Sequence, residues 1–200
     1  MIIGGISSIA RNATTIAFTL NLFTFLPLVG IGIVVTSMVG NQLGNNRPDR
    51  ARRATNTAQV IGCIYTGFFG ILFLAWPDLP LSAFAVFTDA GEFAKVHDLT
   101  IVLLRFIALY LFFDSCSIIF SSALRGAGDT IYVMQVVFIL APLLPVLCFL
   151  GVRYWGLGVV WCWTVLTIDV FFYCLCFTLR FLGKKWEKMR VIEKELQKKN

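Results

Sequence analysis

Three stretches without one charged side chain, 12–46, 54–77 and 130–152, constrain this 200-residue chain more than any other feature. Each is long enough for the roughly 20 residues with which an α-helix crosses a bilayer. Helices of soluble cores are seldom apolar all round over such a length. Composition agrees: 58% of residues are hydrophobic and 14% charged, against about 45–50% and about 25% in an ordinary soluble domain. The sequence reads as an integral membrane protein, all-α, a polytopic helical bundle. A closed β-barrel would need short segments of alternating polarity instead.

Two further apolar stretches are interrupted. Residues 99–124 carry Arg105 and Asp114, and residues 154–179 carry Asp169. Neither contains proline, so both read as helices, and five spans are expected near 14–40, 55–77, 99–124, 131–151 and 157–180. They make up a transmembrane unit over 1–182, followed by a basic tail over 183–200. Pro27 should bend the first helix, and Pro142 and Pro145 the fourth. All six cysteines fall inside spans, where a thiol packs as a small apolar group; no disulfide framework or zinc spacing is evident.

A net charge of +6 could suggest nucleic acid, but its distribution points to lipid. Arg47, Arg50, Arg52 and Arg53 fill the first loop, Arg125 follows the third span, and Arg180, Lys184, Lys185 and Lys188 open a basic tail. The other side gathers Asp78, Asp89, Glu92 and Asp98. Cationic residues favour the cytoplasmic side, so the C-terminus is expected inside and the N-terminus outside. Trp76, Tyr154 and Trp155 fall at span ends on the outer side, where amphipathic rings favour the headgroup zone. Residues 1–13 are too short to span and carry no signal peptide, so an upstream helix is expected.

The loops read as helix punctuation. Gly44, Asn45 and Asn46 suit a left-handed helix end, and Pro48 blocks continuation. Gly40 and Gly44 also form a GxxxG pair, read here as capping rather than dimerisation. Arg125-Gly126-Ala127-Gly128-Asp129-Thr130 closes the third span in the same way. No strand precedes it and no Lys-Ser/Thr follows, which excludes a phosphate loop; Asp129 or Thr130 is expected to N-cap the next helix. Residues 82–87, SAFAVF, suggest a short interfacial helix. The single histidine, His97, is assigned no role.

Asp114 is the residue that asks for a chemical explanation. A carboxylate at the centre of a membrane helix costs roughly 2.5–3.5 kcal/mol even on lenient scales. Helical spacing puts Tyr110, Asp114, Ser117, Ser121 and Arg125 on one stripe, with Leu111, Phe112 and Ile118 expected opposite. Such an acid in a wet cavity could exchange a proton for Na⁺ or a cationic substrate. The alternative is a neutral acid bonded to Tyr110 or Ser117 for packing alone. Asp169, one turn before Tyr173, is a second intramembrane acid, and Asn21, Thr24 and Gln135 are uncharged polar groups. Asn21, Ser117, Gln135 and Asp169 are candidate cavity-lining residues.

The stretch 13–46, from ATTIAFTL to VGNQLGNN, followed by an Arg-rich loop and then by FFDSCSIIFSSALRGAGDT, resembles the multidrug and toxic compound extrusion (MATE) family of antiporters. VGNQLG and ALRGAGDT are its most specific words. The resemblance implies two six-helix lobes facing a central cavity, with this chain similar to helices eight to twelve. It also implies Asp114 as the cation and proton site, able to take Na⁺, with Tyr110 beside it. The implied partners are the bilayer, organic cation substrates, and a first lobe and seventh helix beyond this chain. The location implied is the cell (inner) membrane.

The function implied is secondary active transport, exporting organic cations or drugs in exchange for Na⁺ or H⁺, with no cofactor besides that coupling ion. A lipid-linked oligosaccharide flippase of the same superfamily is the nearest alternative, but it would be expected to place more basic residues in cavity-lining spans. A truncated, non-transporting membrane fragment is another. An enzyme is disfavoured, since no nucleophile–base pair, metal cluster or paired carboxylates occur at useful spacing.

Overall fold

A computed structural model describes residues 8–85 and 90–188. Seven α-helices follow one another: α1 (Ser8–Gly44), α2 (Pro48–Ala75), α3 (Asp78–Ala85), α4 (Ala90–Gly126), α5 (Thr130–Leu140), α6 (Leu143–Tyr154) and α7 (Val159–Leu182). A 3₁₀ turn closes the described chain at Lys185–Lys188. Among the described residues there is no strand. Five helical segments, with α5 and α6 taken as one, are long and apolar enough to cross a membrane. Residues 1–7, expected at the end of a preceding helix, and 189–200 of the basic tail lie outside the described residues.

The observed helices differ from the apolar runs in instructive ways. The first runs through Pro27 without a break and continues to Gly44. The fourth span is two helices: Pro142 lacks the N–H that would continue α5, and the chain restarts as α6 at Leu143. The third begins at Ala90 rather than 99, because helical hydrogen bonding persists into polar turns where hydrophobicity has already ended. There His97 bridges Asp78 at 2.9 Å and Asp98 at 3.2 Å, tying α3 to α4. The short outer helix covers Asp78–Ala85, starting before the SAFAVF segment.

Both tight loops close with the same backbone motif. After α1, Asn46 N–H donates to Leu43 O and Arg47 N–H to Gln42 O, with Asn46 at φ 58°. After α4, Gly128 N–H donates to Arg125 O and Asp129 N–H to Leu124 O, with Gly128 at φ 86°. This is the Schellman arrangement, which satisfies carbonyls left unpaired at a helix end. The Gly40–Gly44 pair divides its work: Gly44 belongs to the cap, and Gly40 faces the Gly126 carbonyl of α4.

Helix α4 is the centre of the bundle and packs against α1, α2 and α7. Its central position explains one departure from the helical-wheel expectation. Phe112 faces outward, as expected, but Leu111 is buried and Ile118 is half-buried, because neighbours cover α4 on three sides. The long apolar faces of α1, α2, α5 and α7 that remain exposed, including Phe23, Ile64, Phe68 and Phe138, form the surface a bilayer would cover.

The buried apolar residues separate into two clusters. One, at the end near α3 and the α6–α7 turn, contains Leu20, Phe73, Leu103, Leu104, Ile107, Tyr110, Leu111 and Trp163. The other, at the basic end, contains Val35, Val39, Ala51, Ile119, Leu124, Phe177, Phe181 and Trp186. Trp186 lies beyond α7, yet it is fully buried: its indole stacks on Phe181 at 4.9 Å and donates to the Phe181 carbonyl at 2.8 Å.

Candidate functional site

Between the two clusters lies a polar layer. Along α4 the gap between Leu111 and Ile119 holds Asp114, Ser115, Cys116 and Ser117. The corresponding gaps hold Asn21 and Thr24 on α1, Gln59 and Cys63 on α2, and Asp169 on α7. At this level the side-chain hydrogen bond from Gln59 to Cys116 joins two helices, α2 and α4. Gln59 donates to Cys63 Sγ at 3.2 Å and Cys116 Sγ at 3.0 Å, and Thr24 donates to the Asn21 carbonyl at 2.7 Å. Three polar atoms here are buried without a hydrogen bond among the described residues: Asn21 Oδ1, Gln59 Oε1 and Ser115 Oγ.

Asp114 is half-buried in this layer. Among the described residues its carboxylate takes part in no hydrogen bond or ion pair, so neither Tyr110 nor Ser117 engages it in this conformation. Tyr110, one turn before it, is buried and stacks on Trp163 of α7, the centroids 6.5 Å apart. Trp163 in turn contacts Phe18 of α1 at 5.0 Å. The phenol one turn before Asp114 is thereby held against α7 by Trp163, itself packed on Phe18 of α1.

Two cavities border this layer, the first at Asn21 and the second at Ser117. The first, about 840 Å³, is lined by Phe18, Asn21 and Phe25 of α1, by Pro145 and Cys148 of α6, and by Trp163 of α7, among others. The second, about 660 Å³, lies between α1 and α4 and is lined by Phe25, Thr36, Ser117, Ser121, Ser122 and Arg125. Phe25 borders both. Of the stripe inferred along α4, Ser117, Ser121 and Arg125 line the second cavity, where Arg125 donates to Ser122 Oγ at 3.0 Å, whereas Tyr110 and Asp114 line neither cavity.

The structure places the sequence-derived candidates differently. Asn21 lines the first cavity and Ser117 the second. Asp169 is half-buried, at the level of the polar layer, one turn beyond the cavity-lining Leu166. Gln135 is exposed and sits at the basic end, between the cluster members Val133 and Val136, and it lines neither cavity. Among the described residues no three His, Cys, Asp or Glu side chains converge as a metal cage. The oxygen donors near Asp114 are hydroxyls and amides, a hard set suited to a proton or an alkali cation rather than a soft metal. Phe25, Trp163 and Ser122 were not foreseen as wall residues, because nothing in an apolar run marks which aromatic faces inward.

The MatE family model matches residues 1–150. The chain belongs to the MatE family. Among curated relatives, MatE-family similarity extends to a probable multidrug resistance protein NorM of Thermotoga maritima, 28% identical over 86% of this chain and 36% of that protein. The NorM counterpart of Mesorhizobium japonicum is 29% identical over 79% of this chain and 31% of its own length. A multidrug resistance protein MdtK of Proteus mirabilis is 32% identical over 68% of this chain and 28% of its own length. The chain thus spans about a third of these relatives. No solved structure matches it significantly.

Proposed function

We propose that this MatE-family chain forms part of the ion-coupling lobe of a cation-driven exporter, with Asp114 as the residue that binds Na⁺ or H⁺ and Tyr110 as its positioned neighbour. The observation that carries the reading is the location of Asp114: half-buried, between two apolar clusters, one helical turn before the cavity-lining Ser117, and without a partner among the described residues. An intramembrane acid left unpaired is costly, and a cation that arrives and leaves offsets that cost. Ser117, one turn further along α4, and Asn21 of α1 bring neutral oxygens to the same layer, in which Asp169 of α7 is half-buried.

Coupling follows from linkage. A cation or proton bound at Asp114 removes the charge that keeps the polar layer open to water, and it favours whichever arrangement of the helices excludes water there. Export of an organic cation then depends on the opposing ion gradient. The relatives' names as multidrug resistance proteins support drugs as the cargo. A first lobe and a further helix would complete the transport path. The arginine-rich loops support an orientation in the cell membrane with the C-terminus in the cytoplasm.

Reconstituted vesicles loaded with a fluorescent organic cation test this, with Na⁺ and pH gradients imposed separately on the completed protein. The wild type should export under one of the two gradients, and Asp114→Asn should insert normally yet export no faster than empty vesicles. Undiminished export by the Asn variant would end the assignment.

A further inference from the structure

The α6–α7 hairpin brings two cysteines together at the wall of the first cavity. Its register is set by three contacts: Trp161 Nε1 donates to the Leu147 carbonyl at 3.1 Å, Leu157 N–H donates to the Gly151 carbonyl at 3.0 Å, and the Trp161 indole lies against Gly151. No side chain larger than hydrogen fits at Gly151 without moving that indole, so the two helices approach closely here. The residue following Leu147 is Cys148, and the residue following Trp161 is Cys162. Both are half-buried and both line the same cavity, each one residue beyond the Leu147–Trp161 contact on its own helix. Each is a free thiol.

We infer that Cys148 and Cys162 form an oxidisable dithiol whose disulfide pins α6 to α7 beside the cavity. The co-reactant is a small, apolar disulfide that can enter a cavity walled mainly by hydrophobic side chains. One thiol loses its proton, and its sulfur attacks the reagent's S–S bond, forming a mixed disulfide and releasing one equivalent of small thiol. The second cysteine, also deprotonated, displaces the other half of the reagent, forming the Cys148–Cys162 bond and releasing a second equivalent. The two cysteine sulfurs are oxidised, the reagent is reduced to two thiols, and the two protons leave with them.

The mechanical consequence lies in the break at Pro142. Helix α6 is a short segment of 12 residues, separated from α5 by a residue pair outside regular helix. Among the described residues, the side-chain hydrogen bond that joins it to α7 is the one from Trp161 to Leu147. A covalent bridge would remove its freedom to swing and hold the cavity at one width. The inference does not depend on what the cavity carries.

The test uses the whole chain in membranes, treated with the apolar disulfide dithiodipyridine and then digested with trypsin. Cleavage at Arg125, Arg153 and Arg180 separates residues 126–153, which hold Cys148 as their one cysteine, from 154–180, which hold Cys162, Cys174 and Cys176. The expected result is a linked pair of these peptides, two hydrogens lighter than their sum, lost in both Cys148→Ser and Cys162→Ser but retained in Cys174→Ser. Pyridylthio adducts on Cys148 and Cys162 without a linked peptide would overturn the inference. So would a linked peptide that survives Cys162→Ser, or two thiols that remain unmodified.

Discussion

The carboxylate of Asp129 accepts two hydrogen bonds from Arg180, 51 residues further along the chain, at 2.7 Å from Nε and 3.2 Å from a terminal nitrogen. Asp129 occupies the N-cap position of α5 but makes no capping bond with its side chain. The expectation of a cap is therefore corrected: a bidentate guanidinium outcompetes a backbone N–H for the same oxygens. The Arg180 guanidinium also lies 4.6 Å from the centre of the Tyr132 ring, whose hydroxyl donates to the Cys176 carbonyl. One arginine thus ties the α4–α5 turn to the basic end of α7.

Breaking this pair should be costly. Asp129 is 4% exposed, and removing one partner of a buried ion pair leaves an uncompensated charge worth about 3–5 kcal/mol. Asp129→Ala and Arg180→Ala should each lower the thermal unfolding midpoint in detergent markedly. The double variant should lose clearly less than the two single losses combined; additive losses would show that the pair is not coupled.

Close approach of α1 and α4 at the basic end rests on Gly126. A methyl group there would collide with the Thr36 backbone carbonyl, which cannot rotate away. Gly126→Ala should destabilise by about 1–3 kcal/mol, the usual cost of overpacking. Gly30→Ala is the control, since its methyl would meet nothing within 4 Å. That change should be neutral or stabilising by up to about 1 kcal/mol, and equal losses in both would refute the steric account.

Trp186 closes the basic end although it follows the last membrane helix. It is 0% exposed, and Trp→Ala in a packed core costs about 3–5 kcal/mol. Trp186→Ala should lower the unfolding midpoint and expose the 183–188 segment to protease, whereas Trp155→Ala, at an exposed position, should do neither. Equal protease resistance in both variants would remove Trp186 from the core.

Stability and transport should separate at Asp114. Because the carboxylate has no partner among the described residues, Asp114→Asn removes a costly buried charge and should leave the unfolding midpoint unchanged or raised, even as gradient-driven export disappears. Stabilised function-less variants are the pattern expected where an active residue is strained by its surroundings. A variant that loses export only because it unfolds would show a structural role instead.

Much of the architecture was legible before any coordinates. Charge-free runs marked the spans, Pro142 and Pro145 marked a bend in the fourth that the structure turns into a break at Pro142, and Gly44-Asn45-Asn46 and the glycines after Arg125 marked two helix ends, because these effects act within a few residues of chain. Asp114 was conspicuous for the same reason, as a charge among apolar neighbours. The partnership of Asp129 with Arg180 had no comparable signal. An Asp after a helix end ordinarily caps the next helix, and only the approach of α7 supplies a stronger donor. Gln135 drew attention by polarity alone, yet the rotation of α5 turns it outward, away from both cavities.

By itself the amino-acid order determined that this chain belongs in a bilayer, how many times it can cross, and which acids interrupt its apolar spans. Those properties are sums over neighbouring residues, so they survive without knowledge of packing. Tertiary structure alone decided which face of each helix turns inward, which polar groups share the middle layer, and which thiols and ions meet. Such choices depend on how closely α1, α2 and α7 can approach α4, a distance set where glycines such as Gly32, Gly62 and Gly126 admit a neighbour's atoms into the space a side chain would fill.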